Sequence, residues 1–259
     1  SPVQSPFNLD IATLDRLAVL VQGVTNSGKT HLCGDMLAYE KQFGPVKFLN
    51  VRGEDGASTN ADMGLGAIGV NVDHEGDVQD VAADCLKNKV HAVALDGARL
   101  LFNQILVRLV QSKPQFAHDV RLPDARLDGD SSKSYWAQAR FRMEQTIALL
   151  KTSVNVLLVT TTSQKDLNEV TGQTQIAPDI YGKMGAALVG LFDFSGYMTF
   201  TIQGPARVQW EVSFQPRTDV QTRQRLAYPI TSNIILPDGP GGWKTIKSAF
   251  EKGLRKGAK

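Results

Sequence analysis

The feature that most constrains this chain is the segment Gly23–Thr30, which reads Gly-Val-Thr-Asn-Ser-Gly-Lys-Thr. It follows the apolar run Leu17–Gln22, which favours a buried strand, and it leads into a helical pattern over Gly28–Tyr39. This arrangement is the pattern of a phosphate-binding loop. The glycines let successive backbone N–H groups face phosphate oxygens, and the start of the helix adds positive potential. The segment, called the phosphate loop below, therefore predicts a nucleotide site.

The polar side chains of the phosphate loop each have an expected task. Lys29 is expected to reach the β- and γ-phosphates, and Thr30 to give its hydroxyl to Mg²⁺. We therefore expect ATP and Mg²⁺ as cofactors, with GTP as the alternative nucleotide. The residues expected to bind the nucleotide are Gly23, Thr25, Asn26, Ser27, Gly28, Lys29, Thr30 and His31.

The second component of such a site is an acid at the end of a neighbouring strand. The apolar run Val90–Leu95 is followed directly by Asp96. A strand that ends there places the Asp96 carboxylate at the carboxyl edge of the sheet, where open α/β sheets bind their ligands. Asp96 is therefore expected to hold Mg²⁺ through water. The alternative is that Asp96 caps the helix that follows Gly97.

Hydrolysis also needs a group that orients or deprotonates the attacking water. Many ATPases carry a glutamate directly after the strand-end aspartate, but here that position is Gly97. The best candidate for the base is Glu54, just after the strand pattern Val46–Val51, and Asp55 is the second choice. The alternative is that Glu54 is an acid on a surface turn.

The rest of the chain predicts an α/β fold. Further strand patterns at Ile68–Val72 and Val154–Thr161 alternate with helical ones such as Asp77–Lys87. This alternation predicts a mostly parallel sheet covered by helices on both faces. After about residue 186, apolar strands flanking "QGPA" predict a hairpin, so the sheet is expected to end in antiparallel strands. The polar segments Gln111–Lys133 and Ser163–Lys183 are expected to be long loops.

Length and composition limit the organisation of the chain. Its 259 residues suit an N-terminal extension over 1–14, an ATPase core over 15–240 and a basic amphipathic helix over 241–259. The formal net charge of +2 does not by itself indicate a nucleic-acid or membrane partner. Cys33 and Cys85 are expected to be reduced core thiols. Without a secretory leader or an apolar run of about 18 residues, an intracellular protein without a membrane partner is expected.

The C-terminal helix has two distinct faces. An apolar stripe recurs at helical spacing in Trp243, Ile246, Phe250 and Leu254. The stripe is expected to pack on the core. The opposite face is basic and could contact nucleic-acid phosphates, or it could serve only solubility. Its basic residues are Lys244, Lys247, Lys252, Arg255, Lys256 and Lys259.

The phosphate loop, Glu54 and Asp96 together resemble the RecA-like ATPases. In that family the catalytic glutamate follows the strand after the first helix, and the strand-end aspartate lacks an acidic neighbour. A third similarity is "NVLLVTTTSQ", which resembles the family's central strand ending in polar residues that sense the γ-phosphate. The resemblance implies this role for one of Thr161, Thr162 and Gln164.

Within that group, the chain is most similar to phage-encoded RecA-like proteins that include single-strand-annealing recombinases. After the sensor strand these proteins have a proline-containing loop, a Gly-Lys pair and a strand with an aspartate. Here the similar positions are Pro178, Gly182–Lys183 and Asp193, within "APDIYGKMGAALVGLFDFSGYM". If the protein is phage-encoded, its location is the cytoplasm of a host cell.

The family also shows a basic pair followed by a proline, which is similar to "TRQRLAYP" with Arg223 and Arg225. On a strand, residues two apart face the same side. The resemblance implies that these arginines reach the γ-phosphate of a neighbouring subunit, where a cation stabilises the charge of the transition state. The alternative is a solvated pair on an edge strand.

Together these features predict a DNA-dependent ATPase that acts in recombination or annealing. It is expected to act as a homo-oligomer on single-stranded DNA. Two alternatives are a hexameric DNA motor, either a helicase or a packaging ATPase, and a nucleotide-dependent switch without DNA. A small-molecule kinase is less favoured, because Ser163–Lys183 has no arginine-rich pattern to cover the phosphates.

Overall fold

The structure is a computed structural model that describes residues 14, 16–53, 68–113, 131–167, 172, 174–180, 184–203, 208–226 and 229–255. The strands are β1 (Leu17–Gly23), β2 (Val46–Val51), β3 (Gly69–Val72), β4 (Ala92–Asp96), β5 (Val156–Leu167), β6 (Thr174–Pro178), β7 (Phe194–Ile202), β8 (Val208–Ser213), β9 (Arg223–Gln224) and β10 (Ile234–Ile235). The helices are α1 (Lys29–Glu40), α2 (Glu75–Asn88), α3 (Ala98–Gln111), α4 (Ser131–Ser153), α5 (Met184–Leu191) and α6 (Gly242–Arg255).

The strands form one mixed sheet. Its main order is β10-β8-β7-β1-β5-β4-β2-β3, with β6 paired to β5 and β9 paired to β7. The central strands from β7 to β3 are parallel, whereas β8 is antiparallel to β7 and β10 is antiparallel to β8. The predicted α/β fold class, with antiparallel strands on the C-terminal side, is confirmed.

Helices cover both faces of the sheet, as the alternation of strands and helices predicted. Alternate residues of a strand point to opposite faces. On β1, Ala18 and Leu20 belong to the core beneath α2, α3, α4 and α5, while Val19 and Val21 belong to the core beneath α1 and α6. The parallel strands all end at the same edge of the sheet, which is therefore the edge that carries the phosphate loop.

Two segments differ from the expectation. The predicted loop Ser163–Lys183 contains the end of β5 and all of β6, which pair as an antiparallel hairpin. Its strands carry mostly polar side chains, so they lack the apolar alternation that marks a strand. The predicted strand region after residue 186 contains the end of α5. The sequence did not distinguish the two, because a short apolar run is compatible with either a buried helix or a buried strand.

The C-terminal helix α6 packs on α1 instead of projecting from the core. Trp243, Ile246 and Phe250 have no exposed surface, which agrees with the expected packing of the stripe. Asp35 of α1 accepts hydrogen bonds from the backbone N–H groups of Gly241 and Trp243, at 2.8 and 2.6 Å. The side chains of Leu254 and Arg255 and the residues 256–259 lie outside the described part of the chain, as do residues 1–13 of the predicted extension.

Candidate functional site

The phosphate loop connects β1 to α1, in the strand–loop–helix order that the sequence predicted. Asn26 and Gly28 have positive φ angles of 63° and 84°. Asparagine and glycine are the residues that adopt this left-handed backbone most readily. Gly28 precedes α1 and has no side chain to cap the helix, so the first N–H groups of α1 can bind an anion.

The first glycine of the loop is required by close packing. A Cβ atom at Gly23 would lie 2.4 Å from the carbonyl oxygen of Met198 on β7 and 2.6 Å from Ser27 Oγ. Ser27 itself is fully buried, whereas Thr25 and Asn26 are exposed. The loop is therefore held tightly at its base and open at its tip.

Lys29 folds back across the phosphate loop. Its Nζ donates to the carbonyl oxygens of Gly23 and Val24, at 3.0 and 2.7 Å, and to Ser27 Oγ at 3.2 Å. These neutral acceptors are weaker partners for an ammonium group than phosphate oxygens are. The side chain is thus already positioned at the loop where a phosphate group would bind.

Asp96 lies at the end of β4 and contacts the phosphate loop directly. Thr30 Oγ1 donates to Asp96 Oδ2 at 2.6 Å, and Thr160 Oγ1 on β5 donates to Asp96 Oδ1. The carboxylate is nearly fully buried. Gly97, with a φ of 97°, occupies the N-cap position of α3, so Asp96 does not cap that helix.

A third oxygen donor lies beside this pair. Asn50 of β2 is aligned with Asp96 of β4 in the sheet, so both side chains lie on the same face. Asn50 Oδ1 is buried and has no hydrogen-bond partner within the described part of the chain. Hydroxyl, carboxylate and amide oxygens suit Mg²⁺, directly or through water. The described residues contain no cluster of three or more His, Cys, Asp or Glu side chains that could hold another metal.

The predicted base lies outside the described residues, as does its alternative Asp55. The strand before Glu54 ends at Val51, and the N–H of Arg52 donates to the carbonyl oxygen of Val72 at 2.9 Å. The next residue, Gly53, has a φ of 100°, so the chain turns sharply there. Glu54 as the catalytic base stays a prediction.

The predicted sensor strand, β5, lies between β1 and β4, in the central position that the resemblance implied. Thr161 Oγ1 is buried and, among the described residues, has no partner. Thr162 lies opposite Gly23 in the strand register, and Gln164 is exposed. Which of the three senses a phosphate stays open.

Arg225 lies near the opposite edge of the sheet, whereas Arg223 pairs with Ser195, which is aligned with Leu20 at the middle of β1. Arg223 Nη1 donates to the carbonyl oxygen of Gly190 at 2.6 Å, and Arg225 Nη1 lies 3.3 Å from Asp193 Oδ1. Burial, and then the charge of Arg225, lower the pKa of Arg223. Asp193 also accepts the backbone N–H of Ala18, so the cluster lies at the start of β1. The five residue steps from Ala18 to Gly23 span about 16 Å of strand.

A cavity of about 270 Å³ lies beside the phosphate loop. His31, which was expected to contact the nucleotide, is exposed and lines this cavity. Trp210 and Met198 form an apolar wall from the hairpin of β7 and β8. The other lining residues are Gly28, Leu32, Asp35, Leu236, Pro237, Gly239 and Gly242. The cavity can therefore accept a planar group joined to a phosphate in the loop.

Sequence reasoning missed three residues of this site. Thr160 directly follows an apolar run, and that position could have indicated a polar role. Asn50 aligns with Asp96 only through the strand order, which the sequence does not give. Trp210 reaches the loop only because β8 folds back along β7.

Comparisons with known proteins give matches among solved structures only. No protein-family model and no curated protein matches this sequence. Among solved structures, a KaiC-like protein from the hyperthermophilic archaeon Pyrococcus horikoshii is similar with a TM-score of 0.49 and 13% sequence identity, over 87% of this chain and 87% of that chain. At this level of identity, a function for the chain has to come from its own residues.

None of the helices that the structure describes is both long enough and apolar enough to span a bilayer.

Proposed function

We propose that this protein binds ATP with Mg²⁺ and hydrolyses it. The observation that carries the proposal is the 2.6 Å hydrogen bond from Thr30 to Asp96, which joins the end of the phosphate loop to the end of β4. A hydroxyl and a buried carboxylate at this place are the pair that a phosphate-bound Mg²⁺ requires. Mg²⁺ would neutralise charge on the phosphates and orient them.

The other residues of the site divide the remaining tasks. The phosphate loop and Lys29 hold the β- and γ-phosphates through N–H groups and one ammonium group. The cavity lined by Trp210, Met198 and His31 takes the nucleoside, because it adjoins Gly28 and has an apolar wall. Asn50 orients water near Asp96.

We further propose that the active site is shared between subunits of a homo-oligomer. Glu54 would act as the base for the attacking water. Arg225 lies about 16 Å along β1 from its own phosphate loop, and Arg223, which is aligned through Ser195 with Leu20, lies about 10 Å from it. They are therefore poorly placed for the nucleotide in their own subunit, and a neighbouring subunit is the site they could serve.

The biological role that we propose is recombination or annealing on single-stranded DNA, as in the phage-encoded RecA-like proteins. The support for it is the resemblance in sequence. The structure contributes one relevant feature. Lys244 and Lys252 are exposed on α6, whereas Lys247 donates a hydrogen bond to Glu40. A hexameric DNA motor would use the same shared site, and a nucleotide switch would bind without turnover.

The test compares the wild type with Lys29→Ala, and uses Lys41→Ala as a matched control, since Lys41 is exposed at the end of α1. Nucleotide binding is measured by calorimetry and turnover by phosphate release. Turnover is measured over a range of protein concentrations, at low salt, with and without single-stranded DNA. We expect Lys29→Ala to abolish turnover and Lys41→Ala to retain it.

Each outcome selects one function. Turnover that is stimulated by DNA and rises more than linearly with protein supports an oligomeric DNA-dependent ATPase. Turnover that is linear in protein and indifferent to DNA contradicts both the shared site and the DNA role. Binding without turnover favours the switch, and unchanged turnover in Lys29→Ala rejects the proposed site.

A further inference from the structure

Arg99 is a cation at the candidate site to which no role has yet been assigned. It lies in the first turn of α3, three residues after Asp96. Its Nη1 atom lies 2.6 Å from Asp179 Oδ2. The Nε atom of Arg99 is buried and has no hydrogen-bond partner among the described residues. The guanidinium group therefore makes one strong contact and retains an unused donor.

The partner of Arg99 is tied to the phosphate loop through β5. The N–H of Asp179 donates to the carbonyl oxygen of Thr162 at 2.8 Å. Thr162 Oγ1 lies 3.4 Å from Asp179 Oδ2, and Thr162 is aligned with Gly23, the first residue of the phosphate loop. Adjacent strands are separated by about 4.8 Å. The Arg99–Asp179 pair is therefore linked, through Thr162, to the strand position beside the first residue of the phosphate loop.

An ion pair of this kind is a weak explanation of fold stability. The Arg99 side chain is 37% exposed, and such pairs contribute little to folding because water screens them. A guanidinium group binds carboxylate and phosphate oxygens with the same planar fork. A γ-phosphate in the loop would thus compete with Asp179 for Arg99.

We propose that Arg99 is a ligand of the γ-phosphate that exchanges between Asp179 and the nucleotide. This inference rests on the proposed ATP-binding function and adds to it a link between the γ-phosphate and a second structural element. When Arg99 turns to the phosphate, Asp179 loses its ion-pair partner. The presence of the γ-phosphate then changes the contacts of the segment that contains Asp179.

That segment is the hairpin of β5 and β6. Asp179 directly follows β6, which pairs with Ser163–Leu167 of β5. The N–H of Ile176 donates to the carbonyl oxygen of Asp219 at 2.7 Å, and the N–H of Gln221 donates to that of Ile176 at 2.8 Å. The hairpin is thus bonded to the segment that leads into Arg223. A change at Asp179 can therefore reach both the hairpin and the arginine pair.

The first measurement compares the affinities for ADP and for the non-hydrolysable analogue β,γ-imido-ATP in wild type and Arg99→Ala. We expect Arg99→Ala to weaken binding of the triphosphate analogue by about tenfold or more, because charge-assisted hydrogen bonds are lost. The affinity for ADP should stay within about twofold of wild type, since ADP lacks the group that Arg99 contacts. The matched control is Arg52→Ala, because Arg52 is an exposed arginine that also follows a strand at this edge.

The second measurement follows the hairpin by amide hydrogen exchange over residues 174–180. In wild type, the triphosphate analogue should give faster exchange at the Asp179 and Ile176 amides than ADP gives. In Arg99→Ala this difference between the nucleotides should vanish. A residue that merely stabilised the fold would change exchange equally with both nucleotides.

Two results would overturn the inference. An equal loss of affinity for ADP and the triphosphate analogue would show a structural role, and no loss for either would show that Arg99 does not meet the phosphate. If Arg99→Ala does not fold, Arg99→Lys keeps the charge without the fork and should give an intermediate loss for the triphosphate alone. A wild type that binds neither nucleotide would instead reject the ATP-binding function itself.

Discussion

At the residue scale, the surroundings of Asp96 bear most directly on metal binding at this site. Its carboxylate is nearly fully buried, and the partners that the structure gives it are the hydroxyls of Thr30 and Thr160. A buried charge is costly unless it is paired with an opposite charge or binds a metal. No ion pair to Asp96 occurs within the described residues. A bound Mg²⁺ would supply a positive charge beside the carboxylate, which is a reason to expect metal binding and nucleotide binding to be coupled.

The two threonines provide a test of that coupling. We expect Thr30→Val to weaken Mg²⁺-dependent nucleotide binding by roughly 10- to 100-fold, because a hydrogen bond to a charged group and a metal-directed hydroxyl are both lost. Thr160→Val removes the other hydroxyl from Asp96 without changing the phosphate loop, and should weaken binding less. The measurement is nucleotide affinity titrated with MgCl₂ and repeated in its absence.

The result that contradicts this interpretation is an equal effect of the two variants. Thr30 would then act only by orienting Asp96, as Thr160 does. A loss in Thr30→Val that persists without Mg²⁺ would likewise assign the hydroxyl to the loop and not to the metal.

The residues that the sequence could identify are those with a local pattern. Lys29 and Thr30 belong to a motif of fixed spacing, and Asp96 ends an apolar run. Asn50 and Arg99 have no such pattern, since Asn50 lies within a strand and Arg99 lies on a helix. Their positions at the site depend on strand order and on the packing of α3, which are properties of the fold and not of a short segment.

At the scale of elements, the buried carboxylate of Glu40 on α1 binds two side chains of α6. Glu40 has no exposed surface, and its Oε1 accepts hydrogen bonds from Trp243 Nε1 at 2.7 Å and from Lys247 Nζ at 2.9 Å. Its Oε2 lies 3.0 Å from His91 Nε2. Lys247 also lies over the rings of Tyr39 and Phe43. This network explains why Lys247 is not part of a solvent-exposed basic face.

We therefore expect Glu40→Gln to destabilise the fold by about 3–5 kcal/mol, because the buried ammonium of Lys247 loses its counter-charge. The measurement is the free energy of unfolding by chemical denaturation. Glu144→Gln is the matched control: Glu144 pairs with Arg140 on the surface of α4. That control should change the stability by less than about 0.5 kcal/mol.

A similarly small effect of both substitutions would show that α6 is held by its apolar stripe alone.

The apolar stripe of α6 could be predicted from the spacing of Trp243, Ile246 and Phe250. The contact of Glu40 with α6 could not be predicted, because in the sequence Glu40 is an ordinary polar residue of α1. The β5–β6 hairpin was missed for a related reason, since its mostly polar strands lack the apolar alternation by which a strand is recognised in a sequence.

At the scale of the whole molecule, the sheet separates two charged sites. The phosphate loop lies at the carboxyl edge of β1, and the cluster of Arg225, Asp193 and Lys151 lies near the start of the same strand. Two such edges can meet when identical subunits associate head to tail, as in a ring or a helical filament. In that arrangement one subunit supplies the loop and the next supplies the arginines.

This geometry makes a prediction for mixtures of inactive variants. Arg225→Ala and Glu54→Gln should each bind nucleotide and turn it over slowly, because each lacks one half of a shared site. Mixing them in equal amounts should restore some turnover, since random assembly leaves about one interface in four with both groups intact. The measurement is phosphate release as a function of the mixing ratio at constant total protein.

Arg217→Ala is the control for this experiment. Arg217 is an exposed arginine from the same region, paired with Asp219, and its loss should leave turnover unchanged. If no mixing ratio restores turnover, while both variants still bind nucleotide, the site lies within a single subunit. Arg225 would then serve only to hold Asp193 at the start of β7. Rescue that peaks near equal amounts and disappears on dilution would instead tie turnover to contact between subunits.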